Sequence, residues 1–348
     1  MKLVLDAMGG DIGVSVNIEG AIIAAKQLKA DDELILIGDK NEIEHYLKLH
    51  NKKLNFNHRI IHTENNVSMS DSPVKALNER SGSSIAKGLE LIKSKEADAF
   101  YSAGNTGVIL AFSLVKVGRI KGVIRPALTT IFPAGRQALF LDVGATPDCK
   151  PENLYQFAVL GTEYIKIVKG IKEPIVGLMS NGEESSKGSL ITQKAFELIK
   201  NDKKINFYGN VEGNDLFTEK VDVVVCDGFV GNVTLKFGEG LVHWLKDSVK
   251  DAVKPFPLAV LGLILATPGI LAAPFFLTAF KRILKKVSYD EYGGAPLLGI
   301  DGVVLIGHGN SNKKAIAYGI LNSKKLAEND FAGKINKYFT ERSNNDAV

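Results

Sequence analysis

Cysteine is nearly missing from this chain. Two in 348 residues, Cys149 and Cys226, exclude a disulfide framework and suit a reducing compartment. An excess of charge of one sign is missing too: 43 Lys and Arg stand against 39 Asp and Glu, a net charge of +4. With no finger, RNP or basic-helix pattern beside it, that balance gives no reason to expect nucleic acid as a partner. Neither G-x-G-x-x-G nor G-x-x-x-x-G-K-[ST] occurs, so dinucleotide and nucleotide binding both lack a signature. The carboxylates are scattered, and no metal site is expected. No solenoid period is visible. The chain opens at once on a strand-like run, residues 2–5, so no secretory leader is expected.

What remains is ordinary bulk with unusual punctuation. Apolar residues make up 45% and charged residues 24%, the balance of a globular protein. A chain of 348 residues suffices for two domains or one large two-lobed unit. The apolar run 97–101 ends in small residues, Gly104-Asn105-Thr106-Gly107 follows, and residues 108–115 are apolar again. That order reads as a buried strand, a tight glycine turn and a helix N-terminus. The backbone N–H groups and dipole of such a corner favour an anion. The pattern returns at 222–233, where Asp227 precedes Gly228 and Asn232 follows Gly231. Each corner has an Asp six positions before its first glycine (Asp98, Asp222) and keeps the spacing G-x-x-G at 104/107 and 228/231. One corner alone would fit close helix–strand packing; the pair predicts two similar halves facing one cleft.

Strand-like runs alternate with helical spacing along the chain, so the expected fold class is α/β, two-lobed and mostly parallel, with ligands at the strand C-termini. Residues 1–342 are read as a single unit, one lobe from 1–125 plus 295–342 and the other from 126–294. Residues 65–80 read as a polar loop stopped by Pro73, residues 289–299 as turn-rich, and 343–348 as a disordered tail.

Several side chains are candidates for chemistry. Asp6 and Asp11 flank the Gly9-Gly10 turn, where a carboxylate suits a metal, a hydroxyl or a helix cap. Arg119, Lys121 and Arg125 crowd one loop, read as facing an anion or as a solvated basic turn. Lys187 sits in a loop, 180–188, with the composition but not the spacing of a phosphate loop. Cys226 ends a strand beside a helix start, as a thiol nucleophile would, though no histidine stands at a motif distance. His308, between two glycines at a strand end, is the best placed of the six histidines for acid–base or orienting work. Residues 255–280 hold no charged residue, and Lys281, Arg282, Lys285 and Lys286 follow directly. Pro257, Pro268 and Pro274 interrupt that run. It is read as a helical tip dipping into an anionic membrane surface over 255–286, against a buried hairpin at an interface or a span.

A series of motifs then gives the chain a family likeness: D-A-M-G-G-D (6–11), S-A-G-N-T-G (102–107), G-R-I-K-G (118–122), L-D-V-G-A (141–145), K-P-E-N-L (150–154), K-G (187–188), G-N-V-E (209–212), D-G-F-V-G-N-V-T-L-K (227–236), Y-G-G-A-P-L-L-G (292–299) and H-G-N-S (308–311). In this order they resemble the bacterial acyl-ACP:phosphate acyltransferases. The resemblance implies transfer of a long acyl chain from acyl carrier protein to inorganic phosphate, without a cofactor. It also implies an isocitrate/isopropylmalate dehydrogenase-like fold with a protruding helical tip, a homodimer, and a cytoplasmic enzyme held at the inner membrane face. The downstream partner it implies is a glycerol-phosphate acyltransferase. On this reading Lys187, Asn232, Lys236 and His308 are expected to be catalytic. Gly9, Gly10, Asp11, Gly104, Asn105, Thr106, Gly107, Asp227, Gly228 and Gly231 are expected at the phosphate, and Arg119, Lys121 and Arg125 at the carrier protein. A nicotinamide-dependent decarboxylating dehydrogenase and a non-enzymatic acyl-binding adaptor are the rival readings.

Overall fold

The computed structural model describes residues 1–132, 135–253 and 293–345. Among these, eleven strands form one sheet. The first half of the chain supplies β1 (Lys2–Asp6), β2 (Glu33–Gly38), β3 (His58–His62) and β4 (Ala99–Ser102). Next come β5 (Ala127–Ile131), β6 (Leu139–Leu141), β7 (Ile175–Met179), β8 (Asn206–Val211) and β9 (Val223–Val225), and the chain returns with β10 (Ala295–Leu298) and β11 (Val303–Ile306). Their order across the sheet is β3-β2-β1-β4-β11-β10-β5-β6-β9-β7-β8.

Two parallel blocks are joined through antiparallel neighbours. β1, β2, β3, β4 and β11 run one way. β10 and β5 each pair antiparallel with both of their neighbours, so β6, β9, β7 and β8 run opposite to the first block. The central strands read as unbroken apolar runs because helices cover both faces; β4, β6, β9 and β11 are buried at every position. The edge strand β3 carries His58 and Arg59 exposed, the charged kind of edge that resists pairing with another chain. His58 and His62 have the spacing H-x-x-x-H, but on a strand they lie about 13 Å apart, too far to share a metal.

The helices include α1 (Val14–Ala25), α2 (Lys40–Leu49), α3 (Pro73–Glu79), α4 (Ser84–Lys93) and α5 (Thr106–Phe112), which continues as a π-turn, Ser113–Val117. Then follow α6 (Pro151–Lys169), α7 (Leu190–Asn201), α8 (Gly228–Val253), α9 (Lys313–Glu328) and α10 (Phe331–Asn345). Three sequence expectations change here. Pro73 does not stop a loop; it starts α3, with Ser72 Oγ accepting from Lys75 N at 3.3 Å, because proline at the first helical position gives up an N–H that has no partner anyway. The turn-rich stretch near Pro296 contains β10, a short strand whose two antiparallel partners hold it. Residues 343–345, expected in a disordered tail, belong to α10, which runs to Asn345. The apolar tip and its basic flank, 255–286, lie outside the described residues.

The two halves share a detail at the starts and ends of their strands. Asp98 Oδ2 accepts from Lys2 N at 2.6 Å at the start of β1, and Asp222 Oδ2 accepts from Ile175 N at 2.9 Å at the start of β7. At the other end of each block a strand finishes in a fully buried aspartate, Asp6 or Asp142.

Candidate active site

β1, β4 and β11 are adjacent and parallel, so their C-terminal ends share one edge of the sheet. That edge gathers Gly9, Gly10 and Asp11 after β1, Gly104 to Gly107 after β4, and His308 after β11. The loops interlock through backbone: Asp11 N donates to Gly309 O at 2.8 Å. Gly10 has a φ of +91° and sits where a Cβ would come 2.9 Å from Gly309 O, so only glycine fits. A Cβ on Gly9 would meet Asp6 Oδ2 at 2.7 Å and Gly104 N at 2.9 Å.

Amide bookkeeping separates the two glycine corners. At the first, Gly104 N donates to Ser102 Oγ at 3.0 Å and Val108 N to Asn105 Oδ1 at 3.1 Å. Among the described residues the N–H groups between them, on Asn105, Thr106 and Gly107, have no hydrogen-bond partner. Thr106 is exposed and its two neighbours half-buried. Three successive open N–H groups at a helix start form an anion cradle. Asn105 itself is occupied: its side chain caps α5, and its Nδ2 donates to the carbonyls of Met69 at 2.9 Å and Asp71 at 3.0 Å. It pins the 68–71 loop to the corner and is not a spare donor.

The second corner is closed. Asp227 Oδ1 accepts from Phe229 N at 3.0 Å and Val230 N at 2.9 Å, placing a carboxylate where an anion would sit. Gly228 N donates to Thr146 O at 3.0 Å, and Gly231 N to Asp227 O at 3.0 Å. Asp142 below accepts from Leu128, Gly144, Ala145 and Thr146 amides. A Cβ on Gly231 would run into Asp142 O, so this glycine serves close packing. The corner lies five strands from the first, about 24 Å along the sheet at 4.8 Å per strand, at the end of a block running the other way.

Other candidates are dispersed. Lys187 is exposed in a loop closed on itself, where Asn181 Oδ1 accepts from Gly188 N at 2.8 Å. Lys236 is exposed two turns along α8 and pairs with Glu239 at 2.8 Å. Asn232, also exposed, faces Gly144 beside the second corner. Arg119, Lys121 and Arg125 gather at the opposite end of the β11 block, where Arg119 bridges Ile300 just before that strand. The helix from Thr106 to Val117 therefore separates them from the first corner by roughly 15–18 Å. His308 is exposed, and its Nδ1 accepts from Asn310 N at 3.2 Å, which leaves Nε2 as its outward nitrogen.

Neither Asp6 nor Asp11 caps α1, whose start at Gly13 has no side-chain cap. Asp11 is exposed, while Asp6 is sealed beneath the corner and accepts from Ser102 Oγ at 2.6 Å. Arg80 and Lys75 went unremarked in the sequence. Both reach Asp71, at 3.8 and 3.9 Å, and Asp71 O touches Asn105, so they bring positive charge to the first corner. Only α3, hidden behind Pro73, places them there. Among the described residues no group of three or more His, Cys, Asp or Glu is placed to hold a metal.

Comparison with known proteins now decides the family. Residues 1–334 match the family described as fatty acid synthesis protein. The phosphate acyltransferase of Campylobacter concisus is 43% identical over 348 residues, 98% of each chain. That of Halothermothrix orenii is 44% identical, covering 96% of this chain and 97% of its own. The chain belongs to the phosphate acyltransferase family. As a phosphate acyltransferase family member it is an enzyme of the acyltransferase class, with a place in lipid biosynthesis. A phosphotransacetylase from Staphylococcus aureus has a similar fold, with a TM-score of 0.58 at 16% identity over 94% of both chains. A branched-chain phosphotransacylase from Enterococcus faecalis gives 0.56 at 14% identity, covering 94% of this chain and 99% of its own.

In this acyltransferase the two thiols lie around the closed corner. Burial, and then the Asp142 and Asp227 carboxylates, push Cys226 well above the usual thiol range. Burial first, and then Asp142, carries Cys149 up to about 12. Thiols this hard to ionise are poor nucleophiles.

Proposed function

We propose that the protein moves a long-chain fatty acyl group from acyl carrier protein to inorganic phosphate, giving an acyl phosphate for phospholipid synthesis. The observation that carries this reading is the run of open N–H groups on Asn105, Thr106 and Gly107, which directly follows the Ala103–Gly104 step packed on Gly9 and Gly10. A phosphate oxygen held there attacks the thioester carbonyl carbon; the new C–O bond forms as the C–S bond breaks, and the carrier's thiolate leaves. Phosphate is already an anion near neutral pH and a thiolate is a good leaving group, so proximity and fixed dipoles supply most of the acceleration. Asp11, a carboxylate, suits the proton that phosphate retains. Lys75 and Arg80 supply charge, and the His308 Nε2 edge serves the oxyanion or the leaving sulfur. The Gly228 corner, with its amides paired internally, is read as scaffold, with Lys187, Asn232 and Lys236 left to the acyl donor's side.

The acidic carrier protein would dock on Arg119, Lys121 and Arg125, and its flexible prosthetic arm would cross the length of the 106–117 helix. A homodimer is supported by an apolar stripe on α8: Phe229, Val233, Phe237 and Leu241 recur every four residues, with Phe237 71% exposed. Peripheral attachment to the inner membrane face, where a glycerol-phosphate acyltransferase would take the product, rests on the composition of 255–286. No helix among the described residues is long and apolar enough to cross a membrane.

The test is release of free carrier thiol from acyl-ACP as phosphate is titrated in. Saturable, phosphate-dependent release with an equal yield of acyl phosphate is expected; release that ignores phosphate would overturn the reading.

A further inference from the structure

We propose that Asp6 is the positioning residue of the Asn105–Gly107 cradle, an inference that rests on reading this cradle as the phosphate site. The carboxylate is fully buried at the end of β1. Ser102 Oγ donates to Asp6 Oδ2 at 2.6 Å and, its hydrogen so committed, accepts from Gly104 N at 3.0 Å. Asp6 Oδ1 accepts from Met8 N at 3.1 Å. One side chain thus ties down the last residue before the cradle, through Ser102, and the loop after β1 that packs on that residue. With Gly104 N bound inward to Ser102, the next three amides are left without partners among the described residues. The tolerances are small, since a Cβ on Gly104 would come 3.0 Å from Ser102 Oγ, and one on Gly9 2.7 Å from Asp6 Oδ2.

The closed corner serves as a contrast. Asp142 occupies the matching place at the end of β6 but, among the described residues, accepts only backbone amides of its own turn and of Leu128. No hydroxyl stands between it and the corner, because Cys226 is where Ser102 would be. Burial pushes the Asp6 carboxyl up, against the Ser102 and Ser84 hydroxyls and the Met8 and Gly9 amides that favour its charged form.

Asp6 touches no substrate on this account, so its removal loosens the cradle without altering the chemical step. In the full-length protein, Ser102→Ala and Asp6→Asn are each expected to raise the KM for phosphate about tenfold, the worth of one well-placed hydrogen bond. The KM for acyl-ACP and kcat should stay within about twofold. A merely structural role would instead lower the active fraction, and so the apparent kcat, at an unchanged phosphate KM; that result would overturn the proposal. Should Asp6→Asn fail to fold, Ser102→Ala decides alone. Thr106→Pro separates this proposal from the reading beneath it. If Thr106→Pro leaves phosphate use unchanged, the phosphate site is wrong and the role of Asp6 falls with it. If Thr106→Pro impairs phosphate use while Ser102→Ala and Asp6→Asn do not, the role of Asp6 alone is refuted.

Discussion

Cys226 shows how one residue type can mislead until its surroundings are known. It ends a strand beside a helix start, as a nucleophile would, yet it is buried and its Sγ donates to Asp142 O at 3.3 Å. Burial first, and then two nearby carboxylates, hold the thiol protonated, which fits the proposed direct attack by phosphate without an acyl-enzyme. Cys226→Ser should retain most activity, and mass spectrometry after incubation with acyl donor should find no acyl thioester; an adduct on Cys226 would contradict direct displacement. Asn105 carries the opposite lesson. Its type suggested a donor to substrate, but the structure employs it as cap and loop clamp. Asn105→Ala should cost about 1–2 kcal/mol of stability, as lost caps do, seen as a lower Tm in calorimetry. Asp32 anchors another junction: it accepts from the Met1 ammonium at 2.9 Å and from Lys324 Nζ at 2.6 Å. Burial alone would raise its carboxyl, but Lys324, the Lys29 amide and the N-terminus outweigh it and hold it at about 2. A carboxyl depressed on folding stabilises above its unfolded pKa and loses that contribution as pH falls toward the folded one. Asp32 should therefore contribute about 2 kcal/mol near neutrality, lost between about pH 4 and 2. Asp32→Asn should flatten the acid limb of a denaturant-stability profile there.

At the scale of elements, long apolar periodicity was legible and short or capped elements were not. The alternation of strand-like runs with helical spacing that points to an α/β fold is carried by elements such as β2, buried at five of its six positions, and α6, a long helix with a largely buried length. α3 was hidden because a seven-residue polar helix owes its existence to Ser72, Pro73 and contact with α5, not to a hydrophobic stripe. β10 was hidden because glycines before it and after it look like turns. The G-x-x-G corners were legible as corners, but not their difference. Whether an amide at a helix start is open depends on which side chain reaches it, and spacing does not say that Asp227 turns inward while Asn105 leaves three groups unpaired. α8 gives a prediction of its own. If its stripe pairs two chains, Phe237→Glu with Leu241→Glu should yield monomers in analytical ultracentrifugation at unchanged Tm; a dimer that persists would place the contact elsewhere.

Across the whole molecule, the open cradle and the basic loop lie at opposite ends of one parallel block, so the sites proposed for phosphate and for carrier protein are separate places. Reversing charge at Arg119, Lys121 and Arg125 should raise the KM for acyl-ACP and remove its salt dependence, while the KM for phosphate stays put. The account depends most on the cradle itself, and one substitution tests it with little collateral damage. Thr106 is the first residue of α5, its N–H has no partner among the described residues, and Asn105 before it has φ −61° and ψ 112°, a conformation that tolerates a following proline. Thr106→Pro deletes one N–H and little else; Thr106→Ala deletes the side chain and keeps the N–H. In a phosphate titration of thiol release, Thr106→Pro should raise the KM for phosphate at least about tenfold, the loss of a hydrogen bond to an anion. Thr106→Ala should stay within about twofold, with both proteins melting like the parent. A Thr106→Pro enzyme with the parent's phosphate KM would contradict the account.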